Sequence, residues 1–180
     1  MIGPVLTTPR LTLAPVTVTD LDEVAALWGD EAFTRPIAGR GPLTGEEVWF
    51  RLLRDLGHWA ALGRGNWSIR LTATGDYVGG VGVLDYRREC LPVLDAPELG
   101  WGVAPRYQGQ GLAREAVDAA LDWCDRVLRA PRTVCMIDPL NAPSLKLAER
   151  VGYRHREPGR YQDKTVLLLE RAAAPSVAAH

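Results

Sequence analysis

Apolar and polar positions change period several times along the chain, and each change marks an element. Leu11 and Leu13 alternate with polar residues, with Val16 beyond them, and predict a first strand. Thr19 or Asp20 is placed to cap a helix carrying Leu21, Val24, Ala25, Leu27 and Trp28. Residues 34–42 are rich in Gly, Pro and Arg and read as a loop. Thr44 with Glu47 three residues on is a capping-box signature. It opens a helix with Val48, Trp49, Leu52, Leu53, Leu56 and Trp59 on its apolar face, stopped by Gly63 and Gly65. Residues 67–71 and 77–84 read as paired strands about a Thr74-Gly75-Asp76 turn, and three glycines in the second suggest close backbone approach. Residues 86–97 form a polar connection, 133–137 a buried strand, and Asn141 or Ser144 opens another helix. Residues 153–157 and 164–170 read as closing strands, and 172–180 as a frayed tail.

The densest signal lies between Glu98 and Val127. A short apolar run, Leu99 to Val103, is broken at Ala104-Pro105 and followed by a glycine turn, Gln108-Gly109-Gln110-Gly111. Leu112, Ala116, Ala119, Ala120, Trp123 and Val127 then recur at helical spacing. Strand, glycine loop and helix in this order point unpaired backbone N–H groups at whatever occupies the loop, and the expected guest is a phosphate or pyrophosphate. Three glycine loops compete for the assignment. The P-loop requires Gly-Lys-Ser/Thr, whereas Gly111 is followed by Leu112 and Ala113. The dinucleotide fingerprint requires a third glycine where Arg114 stands, and Asp138 is too distant to be its ribose-binding acid. The third pattern, Gln/Arg-x-x-Gly-x-Gly/Ala, is met by Gln108, Gly111 and Ala113.

That third pattern, after Glu-Leu-Gly-Trp and Pro-Arg-Tyr, resembles the acyl-CoA loop of GCN5-related N-acetyltransferases. Asn141-Ala142-Pro143-Ser144 with Leu145, Leu147, Val151 and Gly152-Tyr153 resembles the second signature of that family. Residues 8–13 and 77–82 resemble the opening strand and central hairpin of its RimJ/RimL-type branch, so the resemblance runs in order from about residue 8 to 170. It implies an α+β fold of three layers, with a mixed, mainly antiparallel central sheet flanked by helices. The family's fourth and fifth strands, here 99–103 and 133–137, are splayed apart at the cofactor. It also implies transfer of an acetyl group from acetyl-CoA to an amine, either a protein N-terminal α-amine or a small molecule.

The same resemblance assigns roles. Backbone groups of Trp101, Gly102 and Val103 would pair with the pantetheine amides, and an N–H near Val103 would polarise the thioester carbonyl. The pyrophosphate would rest on the amides of Gln108, Gly109, Gln110, Gly111, Leu112 and Ala113, with Arg106 and Arg114 meeting the remaining charge. Most of the family takes a proton donor from a tyrosine where this chain has Ala148. The RimJ/RimL branch instead has a serine, matched by Ser144, while Asn141 would hold the cofactor arm. Helix capping explains Asn141 and Ser144 equally well, and the two roles can coexist. Asp163 and Glu98 compete for the base, with a structural ion pair as the alternative for each. His58 and His155 read as structural or surface residues. Two other functions stay open on the sequence: an acyl-CoA-binding module without turnover, from Ala148, and a nicotinamide-dependent reductase, from Gly109-x-Gly111.

Composition narrows this picture. At 180 residues the chain suits one domain, expected to span 1–171, with 47% hydrophobic and 24% charged residues. The formal net charge of −1 gives no basic footprint for nucleic acid, and no run is long enough for a membrane span. Cys90, Cys124 and Cys135 form no C-x-x-C pair and read as buried thiols rather than metal ligands. The expectation is a cytoplasmic monomer or homodimer that uses no metal.

Overall fold

The computed structural model describes residues 3–38 and 41–174. Nine strands among them form one sheet: β1 (Leu6–Thr7), β2 (Leu11–Pro15), β3 (Asn66–Leu71), β4 (Tyr77–Leu84), β5 (Cys90–Leu91), β6 (Glu98–Val103), β7 (Arg132–Ile137), β8 (Arg154–Tyr161) and β9 (Lys164–Ala172). Their order in space is β1-β2-β3-β4-β6-β7-β9-β8-β5. Every neighbouring pair is antiparallel except β6 and β7, which are parallel and meet at one register position, Glu98 opposite Val134. The mixed, mainly antiparallel sheet and the splayed strand pair are those the resemblance implies. On the β7 side, β6 is left without a strand partner from Leu99 to Val103.

Five helices cover the sheet: α1 (Leu21–Trp28), α2 (Glu31–Ala38), α3 (Gly45–Leu62), α4 (Leu112–Trp123) and α5 (Ala142–Arg150). α3 starts with the expected capping box, in which Glu47 N donates to Thr44 Oγ1 at 3.3 Å and Thr44 N donates to Glu47 Oε2 at 2.8 Å. It ends at Gly63 in the left-handed conformation, φ 63°. α4 packs on β2, β4 and β6 through Leu112, Ala116, Val117 and Ala120, which join the larger apolar cluster of the core. A smaller cluster, with Val24, Leu27, Phe33, Val48 and Tyr77, sits under α1 and α2. Trp59, Trp67 and Trp123 stack edge-on, with centroids 4.8 Å and 5.3 Å apart for the two nearer pairs, and so tie α3, β3 and α4 together.

The structure corrects several local expectations. Residues 34–38 are helical, not loop: Asp30 Oδ1 accepts from Ala32 N at 2.8 Å, and Phe33 is buried, so cap and packing outweigh Pro36. Positions 39–40 of that expected loop lie outside the described residues. A single 3-10 turn, Val18–Asp20, precedes α1, and the Asp20 carboxylate does not cap α1. It accepts from Thr17 N at 2.8 Å, Ser68 Oγ at 2.9 Å and Arg70 Nη2 at 2.8 Å, fastening α1 to β3. After Trp123 the helix widens into a π turn, Cys124–Leu128, which throws Val127 out to solvent. The polar connection contains β5, and β9 runs through Ala172, one residue into the expected tail. Residues 175–180 of that tail are outside the described ones. All three cysteines are free and buried. No described helix is long and apolar enough to cross a membrane.

Close approach of β4 to β6 rests on Gly79, whose φ is 153°. A Cβ there would lie 2.1 Å from the Gly102 carbonyl oxygen. Gly79→Ala is expected to cost about 2–4 kcal/mol from backbone strain and overpacking, read by denaturant unfolding. A loss below about 0.5 kcal/mol would show that the strand pair adjusts freely.

Candidate active site

The divergence of β6 and β7 opens a cavity of about 430 Å³. Its wall includes Trp101 and Gly102 of β6, Ile137 of β7, Asn141 and Ser144 at the start of α5, and Phe33 of α2. Both parallel strands run toward this end and each is followed by a helix N-terminus, the arrangement in which open sheets bind ligands. Gly102 has a specific reason: a Cβ on it would meet Phe33 Cζ at 2.7 Å, so the missing side chain lets α2 lie across the strand.

The glycine loop is built as expected. Gly109 and Gly111 take left-handed φ of 74° and 78°, and Gly111 is the N-cap residue of α4. The backbone N–H groups from Gly109 to Arg114 donate to no described residue, whereas Glu115 N returns to Gly111 O at 3.1 Å. Gln108 Nε2 donates to Val103 O at 3.0 Å, and Gln110 Nε2 to Arg106 O at 3.1 Å, so both glutamine side chains shape the turn. Arg106 is exposed, stacks on Tyr107 at 4.9 Å and has no carboxylate partner among the described residues. Arg114 sits in an exposed pair with Asp118, 3.4 Å away. Sequence reasoning missed Arg10, which donates to Gln110 O at 3.0 Å and to Glu115 Oε2 at 2.7 Å. Burial raises the Glu115 pKa, but hydrogen bonds from Thr8 and Arg10 outweigh it and hold the carboxyl below its usual range. The pair anchors the loop to the strand beside it.

On the other side of the cavity, Asn141 is buried with both ends of its amide engaged. Its Oδ1 accepts from Ser144 N at 3.2 Å and its Nδ2 donates to Pro36 O at 2.9 Å. It therefore caps α5 and holds α2. The Ser144 hydroxyl lines the cavity and makes no hydrogen bond to a described residue. Ala148, one turn on, is fully buried in the core and offers no proton donor to the cavity.

The two candidate bases separate cleanly. Glu98 is buried on the cavity wall, and Arg88 Nε donates to its Oε2 at 2.7 Å. Arg88 also donates to the Tyr161 hydroxyl at 3.1 Å. Burial disfavours the Arg88 charge, yet Glu98 and Tyr161 more than offset it and hold its pKa above the usual value. Asp163 does not itself line the cavity, although its neighbours Gln162 and Lys164 do: with Gln162 it forms the tight β8–β9 turn, at φ 49° and 62°, and its side chain is fully exposed and 3.7 Å from Arg160. Its candidacy came from the resemblance, which has an acidic residue between the last helix and the last strand. His58 is structural, as expected. Asp85 N donates to its Nε2 at 2.9 Å, so Nδ1 carries the hydrogen given to Arg64 O at 2.7 Å. His155 is exposed on β8.

A family model for the GNAT acetyltransferase domain matches residues 10–154. The chain belongs to the GNAT acetyltransferase family. It is 35% identical to a GnaT-family acetyltransferase of Bordetella pertussis, whose structure superposes with a TM-score of 0.80 over 94% of this chain and 99% of that one. It is 30% identical to the uncharacterized protein YkkB of Bacillus subtilis over 58% of this chain, and spans 59% of that relative's length. The ribosomal L7/L12 α-N-protein acetyltransferase RimL, solved with coenzyme A, shares the fold at a TM-score of 0.77 and 13% identity, over 94% of this chain and 98% of that one. This GNAT chain is an acetyltransferase, and its open, mostly antiparallel sheet flanked by helices is the fold of its neighbours. Among the described residues β6 and β7 are the one parallel strand pair, unlike the run of parallel strands that a dinucleotide-binding sheet carries.

Asn141→Ala is expected to lower stability by about 1–2 kcal/mol, since a cap is lost and a carbonyl of α2 loses its donor. Asp163→Asn is expected to leave kcat/KM within about twofold of the unaltered enzyme, because an exposed turn carboxylate contributes little beyond its own surroundings. Steady-state kinetics and thermal unfolding on both variants check this, and a collapse of turnover in Asp163→Asn would return that residue to the site.

Proposed function

We propose that this chain is an acetyl-CoA-dependent N-acetyltransferase that modifies a primary amine by direct attack on the thioester. The observation that carries this reading is the unpaired β6 edge flanked by two helix starts, one offering free loop amides and the other the Ser144 hydroxyl. The amides from Gly109 to Arg114, with Gln108 shaping the turn, suit the pyrophosphate, and Arg106 is free to meet its charge. The edge from Trp101 to Val103 suits the two amides of pantetheine, as a strand would.

Acetyl-CoA supplies the thioester carbon that the amine attacks: a C–N bond forms, the C–S bond breaks, and the sulfur leaves as a thiolate. A backbone N–H near Val103 stabilises the developing oxyanion. Ser144 Oγ gives a proton to the departing sulfur and takes one back from solvent, so that the thiol leaves and the hydroxyl is restored. Glu98 Oε2 is held by Arg88, which leaves Oε1 to take the amine proton through a water. Asn141 keeps Ser144 in place by bonding its backbone N–H. Binding of acyl-CoA without turnover is the second reading that Ala148 motivates; steady CoA release with an amine present separates the two.

Ser144→Ala should lower kcat by about 100-fold or more while the KM for acetyl-CoA changes little. If turnover per folded molecule holds, the Ser144 hydroxyl only lines the cavity and water gives the proton. Acetyl-CoA at ~100 times its Kd should stabilise the protein by about 2.7 kcal/mol, and a bulky residue at Gly111 should abolish that shift in a folded protein. An unchanged shift would refute the loop assignment.

A further inference from the structure

The charged groups around the cavity are paired off with one exception. Asp55 Oδ1 accepts from Arg54 Nε at 3.1 Å, Arg54 Nη2 at 3.0 Å and the Tyr86 hydroxyl at 2.7 Å. Glu98 is held by Arg88, and Asp138 Oδ1 accepts from Leu140 N at 2.8 Å. Arg51, on α3, lines the same cavity and makes no hydrogen bond or ion pair with any described residue. Its guanidinium carbon lies 3.8 Å from the centroid of the Trp28 ring, so the group is held by stacking with its N–H fork unspent. Trp28 stands edge-on to Phe33 at 5.1 Å, and Phe33 rests on Gly102. A continuous line of packed side chains thus runs from Arg51 to the strand edge assigned to the thioester.

We propose that Arg51 selects the acceptor, and that the acceptor is a small amine carrying a carboxylate and an apolar body. This rests on the acetyltransferase reading above. The planar fork of arginine matches a carboxylate in two parallel hydrogen bonds. A partly desolvated cation without a counter-ion is costly, and burial pulls the Arg51 pKa down with only partial relief from Asp55. An incoming carboxylate removes that cost, whereas a polyamine adds to it. The walls that the acceptor's body would meet include the apolar and aromatic Leu27, Trp28, Phe33 and Tyr77, beside the already paired charges of Arg54, Asp55 and Arg88. The volume, about 430 Å³, falls in the range of small-molecule sites, roughly 300–1,000 Å³, and must also take the reacting end of acetyl-CoA. That leaves space for an amino-acid-sized acceptor rather than a folded polypeptide.

The test pairs each of a set of apolar and aromatic α-amino acids with its own neutral amide, with acetyl-CoA as donor and CoA release as readout. A carboxylate makes the neighbouring amine more basic and so less available at a given pH, so a preference for the acid must come from the protein. In the unaltered enzyme the best acid should exceed its amide in kcat/KM by roughly 10- to 100-fold, mostly through KM, the scale of a charge-assisted hydrogen bond. Arg51→Met keeps the stem over Trp28 and removes the charge; it should bring the ratio close to one while the acetyl-CoA thermal shift persists. Arg51→Lys should retain part of the preference. Equal rates for acid and amide, or a preference that survives Arg51→Met, overturn the proposal and leave the acetyltransferase reading standing. The acid-to-amide ratio in the unaltered enzyme decides the matter if the variants do not fold. If no amine in the set is acetylated although acetyl-CoA shifts the melting temperature, the acceptor proposal is overturned, and CoA release with other amines, N-terminal peptides included, decides the transfer reading separately.

Discussion

One broken strand pairing organises the molecule. β6 and β7 run parallel, meet at Glu98 and Val134, and then part. Each is secured on its outer side, β6 along its whole length by β4 and β7 by β9, so neither can swing over to close the gap. Val134 N donates to Pro97 O at 3.0 Å just before the divergence and fixes the hinge end. The backbone groups released by the split carry a free-energy cost unless something pairs with them. That demand is what makes the gap a binding site for an extended, amide-bearing chain rather than a packing fault.

The charges around the gap follow a second constraint. Three buried or half-buried carboxylates have an arginine from another element, Glu98 with Arg88 at the gap, and Asp20 with Arg70 and Asp125 with Arg171 farther off, whereas Asp55 takes Arg54 from its own helix. Removing either partner of such a pair leaves an uncompensated charge, which is why these contacts fix relative positions more than they add stability. Glu98 shows the effect on function. Arg88 leaves one carboxylate oxygen for the cavity and sets its direction, so that any proton relay must begin at a defined point.

The elements that were legible in the sequence are those whose signal is local. α3 carries its own capping box and left-handed glycine stop, and α4 follows a glycine turn with a clear helical period. The glycine loop was legible for the same reason: positive φ at Gly109 and Gly111 and the free amides after them are properties of a short stretch. What escaped depends on tertiary contact. Pro36 and its neighbours read as loop, but Phe33 packing on Gly102 makes the segment a helix. Arg88 sits in a polar connection without periodicity, and Arg51 on α3 is one arginine among many in the chain; only folding brings them to the cavity wall. Asp163 stands at the tip of a tight turn with its side chain exposed while its neighbours Gln162 and Lys164 line the cavity, a detail of turn geometry that position along the chain does not carry.

Asn141 shows how the two halves of the site are made to depend on each other. Its carboxamide oxygen holds the first turn of α5, where Ser144 stands, and its nitrogen holds the Pro36 carbonyl of α2. α2 in turn keeps Phe33 against β6 and Trp28, and Trp28 positions Arg51. Ser144, the proposed proton donor, on one wall and the unpaired cation on the other are therefore linked through one buried amide and one aromatic stack. Backbone atoms of β6 lie between them. A shift of α2 away from the strand would loosen the Asn141 contact and the support beneath Trp28 together, so the groove for the thioester and the recess for the acceptor are built to form as one unit.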